Sequence, residues 1–239
     1  MSVLSALFSR EVRAEEDDPL AVRAMPVVLR VERDLPGRTP LLEAAAAAAV
    51  ALCLDERAQP GGEWHDEVGD WVDGRIRKVS RRARGAHWAA VGELPGVTVE
   101  VGGAAARALL PWRVADLPKA VSRLQISGTE LPEDTPGPVP AGVPVLWLNP
   151  AVPMTVGKLA AQVGHGSMLL AALAEADGVD LTDWNRHCAV RTAEPTRWPA
   201  LAAGTWAADG VVAVRDAGFT EVDPGTVTVV AQWPGQAPD

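Results

Sequence analysis

The sequence predicts an α/β protein of two tandem small domains, and three observations support that fold class. Short Val-rich runs alternate with Ala-rich, helix-forming segments, as in layered α/β structures. The order of these segments in the first half is repeated in the second half. Between the halves, the segment 131–140 is rich in proline, which neither continues a helix nor joins a central strand, so it predicts a stiff linker.

In the first half, we expect a strand at 27–31, a turn containing Leu35-Pro-Gly-Arg, and a helix from about 40 to 54. Extended runs at 97–101 and 120–126 complete this half. The unbroken alanines favour the helix, and the Val-rich runs favour strands. Proline before each helix, at 36 and 153, is tolerated because a missing N–H costs little there.

The second half repeats this order. Its predicted elements are a strand at 143–147, a turn through 150–156, an Ala-rich helix from about 157 to 174, and strands at 211–214 and 226–230. We therefore divide the chain into an N-terminal extension (1–24), a first copy (25–131), a linker (132–142) and a second copy (143–239). The alternative is that any two small α/β domains share so coarse an order.

Composition indicates a globular protein without a membrane anchor. The chain has 239 residues, 48% of them hydrophobic, which is enough apolar material for buried cores. The longest apolar run is too short to cross a bilayer, and the N-terminus lacks the pattern of a secretory signal, so we expect a cytoplasmic protein. Cys53 and Cys188 have no metal-ligand spacing and are interpreted as small buried residues.

A polar stripe on the second helix is the first candidate for a functional site. Lys158, Gln162 and His165 are spaced i, i+4 and i+7, which places them on one face of an otherwise apolar helix. A lysine near a helix start can stabilise a developing oxyanion, and glutamine can orient a water or carbonyl. The alternatives are a surface lysine and a structurally bonded, partly buried imidazole.

A second polar cluster follows the apolar run 211–214. It begins with Asp216 and Gly218 and continues through Thr220 to Thr226 and Thr228. A buried strand that ends at Asp216 can direct a carboxylate toward the helical stripe. The alternative is an Asp that only forms the turn before Gly218.

Together these two segments resemble the type II peptidyl-tRNA hydrolases, the class typical of archaea and eukaryotes. The family pattern reads roughly Gly-Lys-x-Ala-Ala-Gln-x-x-His and later Asp-x-Gly-x-Thr…Pro-Gly-Thr-x-Thr, and the match runs from about 143 to 233. This chain differs from the pattern at Gly166, Phe219 and Glu221, where the family usually has Ala, a basic residue and Gln.

The resemblance implies a mixed four-stranded sheet with helices on both faces in each domain. It also implies hydrolysis of the peptidyl-tRNA ester by water, without a cofactor or metal. The implied site residues are Lys158, Gln162, His165, Asp216, Thr220 and Thr228. Since the family is commonly dimeric, the two halves would form a covalent pseudo-dimer, and a further homodimer stays open.

The first half lacks these polar residues and is interpreted as a degenerate copy. In the alignment of the halves, the counterparts of Lys158, Gln162, His165, Asp216 and Thr220 are Thr39, Glu43, Ala46, Gly102 and Ala106. The run 75–84 nevertheless contains six cations in ten residues, and it is the best candidate for an RNA-facing surface in a chain with a net charge of −9. The alternative is a solvated edge.

The sequence therefore predicts an aminoacyl ester hydrolase of the EC 3.1.1 type that acts on peptidyl-tRNA during translation. Two alternatives remain. One is a catalytically inactive RNA- or protein-binding module on the same scaffold, and the other is a hydrolase of a different aminoacyl ester.

Overall fold

The computed structural model describes residues 2–8, 22–126, 129–182, 184–218 and 221–234. It contains two mixed β-sheets, each flanked by helices, so the predicted α/β class is confirmed. The first sheet has five strands where four were expected, because a short strand pairs with the start of its central strand.

The first half begins with a 3-10 helix at Val3–Leu7. Its strands are β1 (Arg23–Arg30), β2 (Lys78–Ala83), β3 (Gly96–Val101), β4 (Ala104–Leu109) and β5 (Trp112–Arg113). Its helices are α1 (Arg38–Leu54), α2 (His65–Asp73), α3 (Gly85–Gly92) and α4 (Lys119–Ser122), with 3-10 turns at Glu56–Ala58 and Val114–Asp116.

The second half is simpler. Its strands are β6 (Val145–Leu148), β7 (Ala189–Thr192), β8 (Val211–Arg215) and β9 (Val227–Gln232). Its helices are α5 (Val156–Ala176), α6 (Trp198–Ala203) and α7 (Trp206–Asp209).

The two sheets have the same strand order and directions. The first runs β2-β1-β4-β3 and the second runs β7-β6-β9-β8. In both, the edge strand β2 or β7 is parallel to its neighbour, while the remaining neighbours are antiparallel. The two halves therefore share one topology, in line with the repeated element order, although the sequence did not predict the edge strands β2 and β7. A duplication as the origin of the two halves stays a prediction.

The last main strand of the first half is not where the sequence placed it. Residues 120–126 form the end of α4 and one isolated bridge, and the strand that pairs with β3 is β4. Gly102 and Gly103, with φ of 54° and 81°, form the two-residue turn of this hairpin, which needs positive φ. The strand was missed because its sequence is mostly alanine, which has low β propensity. Ala106 therefore lies inside β4, so the alignment of Ala106 with Thr220 has no support in the structure.

The two halves pack through α1 and α5, whose small residues allow close approach. Ser167 is fully buried, and its hydroxyl donates to the Ala46 carbonyl of α1 at 2.8 Å. A Cβ atom at Gly164 would lie only 3.1 Å from the Cβ of Ala49. On another face of α5, a Cβ at Gly166 would lie 3.2 Å from Leu146 of the sheet. Hence α5 lies between its own sheet and the first half.

The proline-rich segment between the halves is bound to the start of α1. Asp134 accepts hydrogen bonds from the Thr39 N–H at 2.9 Å and the Thr39 hydroxyl at 2.6 Å. Glu133 accepts from Arg38 at 2.7 Å. A carboxylate near a helix N-terminus satisfies N–H groups that the helix leaves open.

Both cysteines are buried and free, as predicted. Burial raises the pKa of the Cys53 thiol to about 12, so it stays protonated at neutral pH. Among the helices that the structure describes, none combines the length and hydropathy needed to cross a bilayer.

Candidate functional site

The start of α5 is built to hold Lys158 in its first turn. The Thr155 hydroxyl accepts a hydrogen bond from the Lys158 N–H at 3.2 Å, which caps the helix. Glu221 accepts from both the N–H and the hydroxyl of Thr155, at 3.0 and 2.8 Å. A carboxylate suits two donors better than the Gln of the family pattern, whose amide has only one oxygen.

The ammonium of Lys158 contacts the carboxylate of Asp216, although 58 positions separate them in the chain. The Gln162 side-chain amide donates to the same oxygen, Oδ2, at 2.7 Å. The side chains of Lys158 and Asp216 are only 11% and 5% exposed. An ion pair this buried depends on hydrogen bonds that complete its coordination, and Gln162 supplies one of them.

Thr228 fixes the orientation of the Gln162 side-chain amide. Its side chain is fully buried, and its hydroxyl donates to Gln162 Oε1 at 2.6 Å. That bond directs the NH₂ group of Gln162 toward Asp216. Thr228 reaches this position through a bulge, because Val214 pairs with Val229 and Arg215 with Val227.

The loop after β8 holds Asp216 through its backbone and its side chain. Its N–H donates to Thr226 O at 2.9 Å, and its carbonyl accepts from Gly225 N at 2.7 Å. Oδ1 accepts from the Gly218 N–H at 2.8 Å, the local bond that lets an Asp initiate a turn. Turn formation and contact with Lys158 therefore belong to the same carboxylate, and the two interpretations of this Asp do not compete.

Replacing Gly218 with alanine is expected to destabilise the loop. Gly218 has φ +80°, and a Cβ there would lie 2.7 Å from Pro224 Cδ. We expect Gly218→Ala to lower the free energy of unfolding by about 1–3 kcal/mol, measured by urea denaturation. The control is Gly137→Ala in the proline-rich segment, where an added Cβ meets no atom within 4 Å. Equal stability of the two variants would contradict a requirement for glycine at position 218.

His165 faces the first half of the chain. Its Nδ1 lies 3.1 Å from the Nζ of Lys78 in β2. Burial, followed by the positive charges of Lys78 and Lys158, lowers the pKa of His165 well below its usual value. The imidazole is therefore neutral at neutral pH, and its protonated form is too costly for it to be a strong general base.

Part of this network lines a cavity of about 500 Å³ between the two halves. The second half contributes Lys158, Gln162, His165 and Asp216, and the first half contributes β2 and the residues before it. Among the described residues at this cavity, five are cations and two are carboxylates. The cations are Arg75, Arg77, Lys78, Lys158 and Arg215, and the carboxylates are Asp216 and Glu221. The cavity is thus locally positive in an acidic protein.

The structure brings together five of the six candidate residues from the sequence. Lys158, Gln162, Asp216 and Thr228 form one hydrogen-bonded network, and His165 lines the same cavity. The sixth, Thr220, lies outside the described residues. The sequence did not identify Lys78 and Ser80 as site residues; the cation-rich run 75–84 was their only signal.

The aligned positions of the first half hold the structure together. Glu43, the counterpart of Gln162, accepts from the Val190 N–H at 3.1 Å and from Arg191 at 3.0 Å, across the interface between the halves. Thr39, the counterpart of Lys158, is bonded to Asp134. The first hairpin pairs without a register shift, so it has no extra residue in the position of Thr228.

In the part of the chain that the structure describes, no three His, Cys, Asp or Glu side chains are grouped to hold a metal ion.

Residues 143–239 match the family model described as peptidyl-tRNA hydrolase PTH2. No curated protein and no solved structure matches the chain.

Proposed function

Starting from the match of the C-terminal part to the peptidyl-tRNA hydrolase family, we propose that the protein hydrolyses the ester that joins a peptide to the 3′ end of tRNA. The observation that carries this proposal is the contact between Lys158 and Asp216 at the cavity. Ester hydrolysis needs a group that takes a proton from water and a cation that stabilises the oxyanion, and this pair offers both.

In the proposed reaction, water attacks the ester carbonyl and Asp216 takes its proton. A carboxylate has about four lone-pair sites. Three are used here, by Lys158, Gln162 and the Gly218 N–H, which leaves one for the attacking water. The carbonyl oxygen becomes an oxyanion beside the Lys158 ammonium. When the tetrahedral intermediate collapses, the ester oxygen of the ribose leaves and takes the proton, releasing peptide acid and tRNA.

The other candidate residues position these two groups. Gln162 holds the carboxylate from the side opposite Gly218, and Thr228 acts through Gln162 because its own side chain is fully buried. His165 is neutral and supplies a hydrogen bond to the substrate, not a base. Thr220 remains a candidate from the family pattern alone.

The local charge of the cavity accounts for a tRNA partner in a chain with a net charge of −9. The cavity lining, with five basic and two acidic side chains among the described residues, attracts a polyanion over a short range, where the distant acidic surface is screened. In this proposal the residues 143–239 carry the chemistry, and the residues 25–131 supply the cationic wall. A substrate in translation also accounts for the expected cytoplasmic location.

The direct experiment compares release of labelled amino acid from two tRNAs by the full chain. One tRNA carries an N-acetylated aminoacyl group, which mimics a peptide, and the other carries the same amino acid unblocked. We expect hydrolysis of the acetylated substrate, preferred by at least about tenfold over the free amine. Equal rates would favour the alternative of a general aminoacyl ester hydrolase.

A catalytically inactive binding module is the alternative from another class. Salt-sensitive binding of both tRNAs without release of label would favour it. The variant that combines Lys158→Met with Asp216→Asn is the matched comparison, and we expect it to release label no faster than a sample without protein.

A further inference from the structure

The cavity that holds the Lys158–Asp216 pair is also lined by β2 of the first half, which contributes Lys78 and Ser80. We propose that Lys78 is a positioning residue that fixes the orientation and the proton of His165, so that the first half takes part in the reaction. The geometry of the pair does not depend on the proposed function, whereas the kinetic predictions below rest on it.

Lys78 is held against His165 by three contacts. Its Nζ lies 3.1 Å from His165 Nδ1 and 5.0 Å from the centre of the Trp71 ring. Its aliphatic stem crosses Gly164, where an added Cβ would lie 3.3 Å from Cδ and Cε. The aromatic ring stabilises a cation above its face, and the glycine gives the stem room to reach the imidazole.

This contact determines which ring nitrogen carries the proton. An ammonium group has three donors and no acceptor, so it donates to Nδ1, and the neutral ring then carries its proton on Nε2. Among the described residues, none forms a hydrogen bond with Nε2 of His165. His165 lines the cavity, so its Nε2–H is a free donor for an oxygen of the substrate.

Lys78 is the member of this pair that titrates near neutral pH. Burial lowers the pKa of Lys78 to about 7, with the Cys53 thiol of α1 acting in the opposite direction. The other titratable or charged groups near Lys78 are His165, Lys158 at the start of α5, and Arg77, which precedes Lys78 in the chain. The α2 residue that packs against Lys78 is the uncharged Trp71. Below this pKa the ammonium donates to Nδ1. Above it the amine is neutral and the preference for Nε2–H is lost, so we expect kcat/KM to fall as the pH rises through about 7.

The first test reads the imidazole directly and needs no substrate. In the ¹⁵N-labelled full chain, NMR at about one unit below the pKa of Lys78 should show His165 with its proton on Nε2. Lys78→Met, which keeps the stem over Gly164, should give a mixture of tautomers and raise the pKa of His165. Lys119→Met, an exposed lysine of the same half, is the control and should change neither. A wild-type proton on Nδ1, or an unchanged spectrum in Lys78→Met, would overturn the proposal.

The second test is a double-mutant cycle in hydrolysis by the full chain. We expect Lys78→Met and His165→Ala each to lower kcat/KM by about tenfold, with no further loss when they are combined. Lys78→Arg, which keeps a donor at all pH values, should restore activity and remove the fall above neutral pH. Losses that multiply in the double variant would show that Lys78 does not act through His165. If the wild type hydrolyses nothing, the proposed function fails, and the NMR result still decides the role of Lys78.

Discussion

Replacing Lys158 with methionine is expected to lower kcat for peptidyl-tRNA hydrolysis by about 10²-fold or more, the scale for losing one group that stabilises an oxyanion. Methionine keeps the length of the stem while removing the charge. In the resting protein the ammonium is paired with Asp216. Its interaction with the carbonyl oxygen of the substrate strengthens as that oxygen gains negative charge in the transition state. We therefore expect the loss in kcat with little change in KM, measured at saturating and limiting substrate.

Lys119→Met is the matched control for this variant, since it removes a lysine that is exposed and distant in the chain from the network. A rise in KM with an unchanged kcat in Lys158→Met would assign the ammonium to ground-state binding of the substrate. Unchanged hydrolysis by both Lys158→Met and Asp216→Asn would remove the assignment of the site.

Replacing Asp216 with asparagine is expected to damage stability and activity together. The amide is isosteric, but its NH₂ would face donors from Lys158 and Gln162 if its oxygen still accepts from Gly218 N–H. Breaking one side of a buried ion pair costs about 3–5 kcal/mol. Loss of the proton acceptor should lower kcat by about 10²–10⁴-fold. Urea denaturation and single-turnover hydrolysis measure the two effects separately.

A double variant separates these two effects. Lys158→Met with Asp216→Asn removes both charges, which leaves no buried ion unpaired, so much of the lost stability should return. Activity should not return. Asp223→Asn is the control, because Asp223 is exposed in the same loop. A double variant as active as the wild type would show that neither charge takes part in the chemistry.

Local sequence patterns predicted the elements that build the core of the site. The alanine-rich segments gave α1 and α5, and the spacing of Lys158, Gln162 and His165 placed them on one helical face. The strand before Asp216 is β8, as its valines indicated. These features depend on residues close together in the chain, where periodicity carries information.

The features that were missed depend on long-range pairing or on weak propensity. Strand β4 is mostly alanine, and β2 is an edge strand rich in cations, so neither resembles a Val-rich core strand. The contact between Lys78 and His165 joins residues 87 positions apart and forms across the interface between the two halves. The bulge at Thr228 follows from the register between two strands, which no single segment specifies.

The tie between the proline-rich segment and α1, made by Asp134 and Thr39, has a consequence for dilute solutions. Two subunits that meet only by collision separate when their concentration falls below the dissociation constant. Here the proline-rich segment joins the two halves covalently and is itself bound to α1, so it keeps the halves at an effective concentration of about millimolar. The cavity between them should therefore survive any dilution, and the specific activity of the protein should stay constant down to the lowest concentration that an assay can detect.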